Sequence, residues 1–356
     1  MLFWESGAMK EFFPSIVENR ALLRRIGAEF FAHSFSHAYI LEGPRGCGKH
    51  LLARQMAMAA ACEARNDDGK PFPCGTCRAC RKIAADNCLD VITVKKPEDR
   101  TTMGVETVRE LRAGLKVVPN DLDVKVYIIE DAHTMTTAAQ NAFLLSLEEP
   151  PAFVLFLLLT EDARALLETV RSRAPILRLQ PIPHDAMREF LTASSVGISC
   201  GGAALFKERP EEFEAILQLS DGSIGKALSL LDAKKRAPLL ERRALAEDLL
   251  ELLAKGGAQD EIFLLLRSFG SGRDEFRQRL AMLKLALRDL VLLTRTEHAP
   301  LLFFTDREKA ETLAARFTTA KLLGFVRAVE QTDEALASNA NVRLSLTRLQ
   351  TQLFTV

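Results

Sequence analysis

Short apolar runs alternate with amphipathic stretches through the first half of this chain, and then the short runs stop. AYILEG (38–43), DVITVK (90–95), KVYIIED (125–131), FVLFLLLT (153–160) and ILRLQP (176–181) are each bounded by polar or turn residues, which predicts five buried strands. Between them LLARQMAMAAACEA (51–64), ETVRELRAGLKVV (106–118) and TTAAQNAFLLSLEE (136–149) are rich in helix formers, the last stopped by Pro150 and Pro151. Strands alternating with helices predict an α/β core, a parallel sheet with helices on both faces, over residues 1–181. PIPHD (181–185) interrupts helix and sheet alike. Beyond it the strand signal vanishes. Residues 185–233 read as about three short helices, and the stretch from Ala237 onward as longer amphipathic ones such as ERRALAEDLLELLAK (241–255) and FRQRLAMLKLALRDLVLLTRT (276–296). More than one face of LAMLKLALRDLVLL is apolar, which predicts burial against another subunit. Three parts are therefore expected: a core (1–181) with an insertion at 62–80, a small helical part (182–236) and an all-α part (237–356).

Composition narrows the picture only at its edges. At 356 residues the chain has room for two or three domains. With 48% hydrophobic, 26% charged and 7% aromatic residues it reads as a soluble protein with aliphatic cores. Forty-seven basic residues balance forty-seven acidic ones, so any contact with nucleic acid must come from a local patch or from partners. No run of eighteen apolar residues predicts a membrane span. The start, MLFWESGAMKEFFPSIVENR, carries early acids and a proline, and reads as mature cytoplasmic protein instead of a signal peptide.

Chemistry enters at GPRGCGKH (43–50). The spacing of Gly43, Gly48 and Lys49, behind a strand and ahead of a helix, is that of a phosphate-binding loop whose N–H groups converge on an anion, with Gly46 between them. The next residue should bring a hydroxyl to Mg²⁺; here it is His50, and imidazole prefers softer metals. The strand that should end in Asp-Glu ends in Glu130-Asp131, which displaces each carboxylate by about 1.5 Å. An error of about 1 Å can cost on the order of 100-fold in rate. Both departures argue against a grip on Mg²⁺-ATP adequate for catalysis. The plainer readings, a glycine turn without chemistry and two acids that merely end a strand, stay open.

Seven cysteines include four, Cys62, Cys74, Cys77 and Cys80, within nineteen residues, CEARNDDGKPFPCGTCRAC. The C-x-x-C-x-x-C run with Cys62 returning as a fourth thiolate predicts a closed, structural Zn²⁺ site, with redox use or unliganded core thiols as alternatives. Lys70, Arg78, Arg81 and Lys82 would offset its charge. Cys47, Cys88 and Cys200 read as ordinary buried or loop cysteines.

FSHAYILEGPRGCGK, the four-cysteine insertion, VYIIEDAH, NAFLLSLEEPP and TVRSRAPILRL, in that order, resemble the bacterial DNA polymerase III clamp-loader family. The resemblance covers nearly the whole chain, fading through GSIGKALSLLD (222–232), LRDLVLLT (287–294) and NANVRLSLTRLQTQL (339–353). It implies an AAA+ P-loop core, a helical lid and a helical collar. Departures from the motor (gamma/tau) pattern, including Gly225-Lys226 where those subunits carry Arg-Asp, make the chain most similar to delta-prime subunits, with gamma/tau second. The resemblance further implies that Arg173, in Ser172-Arg173-Ala174, is an arginine finger given in trans, with Arg171 its rival; the plainer reading, a surface arginine pairing with a local acid, stays open. The resemblance matches Thr160 to a nucleotide sensor, with an ordinary strand-end hydroxyl as the alternative, and implies that Asn339 and Asn341 cap the last helix. The implied partners are the gamma/tau and delta subunits, and through the complex the sliding clamp and primed DNA.

Overall fold

The computed structural model describes residues 11–13, 16–65, 70–97, 99–270, 272–296 and 299–355. The mature-start reading of residues 1–20 falls largely outside them, as does part of the 62–80 insertion. Among the described residues no helix is long and apolar enough to cross a membrane.

The chain forms two compact units. One runs to Ala186 and takes in Ser223–Gly225; the other comprises Met187–Gly222 and the chain from Lys226. In the first unit the elements are α1 (Arg20–Phe31), β1 (Ala38–Glu42), α2 (Lys49–Ala60), α3 (Arg78–Ala84), β2 (Val91–Val94), α4 (Val105–Gly114), β3 (Lys125–Ile129), α5 (Thr137–Glu148), β4 (Val154–Thr160), α6 (Glu168–Arg171) and β5 (Ile176–Arg178). All five expected strands form, paired in parallel in the order β2-β3-β4-β1-β5.

Alternation along the buried strands builds two cores. Tyr39, Leu41, Val126, Ile128, Leu155 and Leu157 face one way, onto α1, α2 and the cysteine insertion. Ala38, Ile40, Tyr127, Ile129, Phe156 and Leu158 face the other, onto α4 and α5. The helix expected to reach Val118 stops at Gly114. A Cβ at that position would lie 2.8 Å from the Tyr127 hydroxyl, and buried Lys125 takes the Gly114 and Val117 carbonyls with its Nζ, at 3.1 and 3.0 Å. Asp90, 1% exposed, then fixes the loop by accepting the N–H groups of Asn120, Asp121 and Leu122.

The second unit holds α7 (His184–Ala193), α8 (Ser195–Ser199), α9 (Gly202–Glu208), α10 (Pro210–Ser220), α11 (Ile224–Leu231), α12 (Ala233–Ala254), α13 (Gln259–Arg267), α14 (Arg273–Leu293), α15 (Arg307–Ala314), α16 (Thr319–Ala337) and α17 (Val342–Thr355), α7 and α11 beginning in the first unit. Five helices, α7 to α11, replace the three expected over 185–233. Gly197 and Gly202 let the backbone come so close to the Leu191 carbonyl that a Cβ would sit 2.5 and 2.2 Å from it, and such tight folding shortens each helix. The two apolar faces of α14 are not held for another subunit: α14 packs between α12, α15 and α16, and Leu280, Met282, Leu283, Ala286, Leu287 and Leu290 are buried within the chain.

The polar break in that helix is structural too. Asp289 is fully buried, pairs with Arg288 at 2.9 Å and accepts the N–H groups of Leu302, Phe303 and Phe304. Asp289→Ala strands these donors and should cost about 3–5 kcal/mol, read as a lowered denaturation midpoint; a loss under about 1 kcal/mol would mean that the loop finds other acceptors. Asn341 caps α17, accepting from Arg343 N and Leu344 N, whereas Asn339 does not: its Oδ1 accepts from Arg273 Nη1 at 2.6 Å.

Candidate functional site

The glycine loop joins β1 to α2 as its sequence demands. Gly46 (φ 79°) and Gly48 (φ 96°) lie in the left-handed region that favours glycine, and Gly48 is the residue before the helix. Lys49 folds back, its Nζ donating to Gly43 O (2.6 Å) and Pro44 O (2.9 Å), a position from which it can be recruited by an anion over the loop. Gly225 N–H donates to Gly46 O at 3.3 Å, so at the place where the motor pattern has arginine this chain brings backbone onto the loop.

The acids at the end of β3 separate. Glu130 lies against His50, with Nε2 to Oε1 3.3 Å, while Lys95 Nζ, from the end of β2, approaches its other oxygen at 3.4 Å. The carboxylate that would help to hold Mg²⁺ is thus already matched to a protein cation and an imidazole. No hydroxyl stands at position 50. Asp131, in left-handed backbone (φ 48°), lies instead with His133 and Glu161, their donor atoms within 4.8 Å of one another. Thr160, fully buried at the end of β4, spends its hydroxyl locally, donating to Asp162 O at 2.9 Å and accepting from Asp162 N at 3.2 Å.

Arg173 is brought to none of these residues. Its hydrogen-bond partners are Thr169 O, Ser172 Oγ and Glu148. Ala174 is buried in the core under α5, consistent with packing as its role, and the Nε of Arg171 is buried without a partner. Sequence reasoning missed the residue that steers this segment. Gln140, 3% exposed, donates to Met135 O (3.1 Å) and Ala165 O (3.3 Å) and accepts from Leu167 N (2.7 Å), tying α5 to the strand-to-helix link ahead of Arg173. It stood within TTAAQNAFLLSLEE, but a glutamine near a helix start carries no signal of its own. Lys95 and Glu148 also went unnamed, because each acquires its partner only through the fold.

The sulfurs of Cys62, Cys74, Cys77 and Cys80 lie within 4.8 Å of one another, Cys74 to Cys80 at 4.0 Å. A tetrahedron built on Zn–S bonds of about 2.3 Å has edges of about 3.8 Å. Backbone N–H groups already point at two of the sulfurs: Cys77 N to Cys74 Sγ (3.3 Å) and Cys80 N to Cys77 Sγ (3.4 Å), with Gly75 (φ 70°) making the turn. A hydrogen bond from Cys80 draws the Cys62 thiol down to about 5 and pushes that of Cys80 up. Four sulfurs this close cannot all ionise unless a cation joins them, so the donor set fits Zn²⁺ and leaves no position for a substrate. Arg78 and Lys82, expected to offset the cluster's charge, instead pair with Asp121 at 3.1 and 2.7 Å, which lowers the Asp121 carboxyl through the Lys82 hydrogen bond first. Cys47 is buried, Cys88 half-buried and Cys200 exposed.

Residues 19–183 match the family described as DNA polymerase III, delta subunit. The chain is 31% identical over 224 residues to the DNA polymerase III subunit tau of Bacillus subtilis, covering 62% of this chain and 37% of that one. It is 30% identical over 220 residues to the subunit gamma of Buchnera aphidicola, covering 62% and 57%. Its aligned part thus spans well under two thirds of either relative. Among solved structures, a DNA polymerase III gamma subunit-related protein of Thermotoga maritima aligns over 93% of this chain and 98% of its own, at 16% identity and a TM-score of 0.48.

Proposed function

We propose that this chain, whose residues 19–183 match the family described as DNA polymerase III, delta subunit, is a delta-prime-like subunit of a DNA polymerase III clamp loader with little ATPase activity of its own. In this reading it is a zinc-stapled cytoplasmic member of a hetero-oligomer, with a P-loop core (1–181), a lid (182–236) and a collar (237–356). It braces the gamma/tau and delta subunits and lends one neighbour Arg173, while the assembly places a sliding clamp on primed DNA. The observation that supports the reading is Glu130 held between His50 and Lys95; in this reading the loop meets phosphate but does not seat magnesium well enough for catalysis.

The isolated chain should therefore release phosphate from Mg²⁺-ATP at no more than the background rate. His50→Thr alone should restore little, because Lys95 still holds Glu130. Restoring the acid order as well (His50→Thr with Glu130→Asp and Asp131→Glu) should raise turnover on the order of 100-fold. Brisk magnesium-dependent turnover by the unaltered chain would overturn the reading.

That result would favour a second one, an ATP-hydrolysing gamma/tau-type motor. Gly43, Gly46, Gly48 and Lys49 stand in place, and the relatives named above are gamma and tau subunits. For a motor, primed DNA should stimulate hydrolysis and His50→Thr should change little.

A further inference from the structure

Arg173 is held by its own chain. Nη2 donates to Glu148 Oε1 at 2.8 Å, and Nη1 to Thr169 O at 3.0 Å and Ser172 Oγ at 3.4 Å. Ser172 Oγ is itself anchored, donating to Thr169 O at 3.1 Å. Glu148 is the last residue of α5, and Pro150 and Pro151 follow it, so its carboxylate is presented from a fixed helix end. Both partners remain accessible: 36% of the Arg173 side chain and 44% of that of Glu148 face solvent.

We infer that Glu148 is a parking carboxylate for Arg173, holding the guanidinium until the terminal phosphate of a nucleotide on the neighbouring subunit takes it over. This rests on the reading of Arg173 as a finger. The chemistry of exchange is favourable in one direction. A guanidinium fork binds carboxylate and phosphate alike, and a terminal phosphate offers three oxygens and more negative charge than a carboxylate. An ion pair open to water is weak, so giving it up costs little; the same pair buried would lock the arginine away. No bond breaks and no proton moves. The guanidinium stays charged throughout, and Glu148 is left as a solvated carboxylate.

The parked state predicts a gain on losing Glu148, where a merely supportive contact predicts a loss. In a complex reconstituted with an ATP-hydrolysing gamma/tau-type subunit, Glu148→Gln should raise steady-state turnover about two- to five-fold, the range set by an exposed pair. In an Arg173→Ala background the same substitution should do nothing. An unchanged or lowered rate with Arg173 present overturns the inference, and so does an equal rise in both backgrounds, which would make Glu148 a structural residue. Failure of the underlying reading shows separately, as an Arg173→Ala complex that turns over as fast as the unaltered one. Thermal unfolding of the Glu148→Gln chain, expected within a few degrees of the parent for an exposed site, shows that both comparisons are made on folded protein.

Discussion

Arg173→Ala should slow ATP turnover about 10³-fold at the subunit boundary that the proposed reading assigns to this chain, while leaving assembly of the complex intact. A guanidinium that enters a neighbour's site meets charge spread over the transferring phosphoryl group, and such fingers are worth about 10³–10⁵ in rate. The lower figure corresponds to about 4 kcal/mol of transition-state stabilisation. Assembly should survive because the residue is half-exposed and its contacts are the carbonyl, hydroxyl and carboxylate of its own chain. Arg173→Lys should recover little, since one ammonium cannot reproduce a planar fork. Turnover of a complex in which only the boundary-facing motor is competent is the measurement. Arg171 is the internal comparison: its Nε is buried, so Arg171→Ala should act on folding more than on rate. Loss of turnover with Arg171→Ala but not with Arg173→Ala would move the assignment two residues upstream.

On the proposed reading of the four thiols as a Zn²⁺ site, removing the metal should have the second large effect, confined to part of the first unit. One Zn²⁺ per chain is expected by metal analysis, and a strong chelator or Cys74→Ser should release it. Structural zinc contributes about 10–16 kcal/mol where it alone organises a small domain. Here the cysteine module leans on other parts of the unit, so the loss should appear as local opening. The amides of Cys77 and Cys80, which donate to sulfur, should lose hydrogen-exchange protection first. Two further sets should follow. Phe72 exchanges backbone hydrogen bonds with the segment at Glu11–Phe13, at 2.8 and 2.7 Å, and packs its ring on Phe12 and Phe31. Arg78 and Lys82 hold Asp121 in the loop ahead of β3. Exchange in β1 and β4, at the centre of the sheet, should not change. Protection lost across the whole unit, or no zinc in the purified chain, would contradict this account of the four thiols.

Local rules made most of the architecture readable from the sequence. Five strands, the glycine loop and the four-thiol cluster each follow from residues near one another in the chain: an unbroken apolar run of strand length for FVLFLLLT, glycines at positive φ for GPRGCGKH, the C-x-x-C turns for the sulfurs. The five helices over His184–Leu231 were less legible, because Gly197 and Gly202 act through contact with the Leu191 carbonyl. The same holds for α14. Its apolar faces were evident in LAMLKLALRDLVLL, but which surface covers them depends on where α12, α15 and α16 fold back, and they cover them within the chain.

What the sequence determined by itself, then, is the inventory of strands, loop, thiols and arginine, since each is a property of a short stretch and its backbone preferences. What the tertiary structure alone decided is which charges meet. Glu130 finds Lys95 from another strand, Arg173 finds Glu148 from the end of α5, Asp121 finds Arg78 and Lys82 from the cysteine module, and Asp289 finds three amides of the loop that follows its helix. Coulombic and hydrogen-bond energies depend on separations of a few ångströms in space, and residues on different elements of the chain acquire those separations only when it has folded.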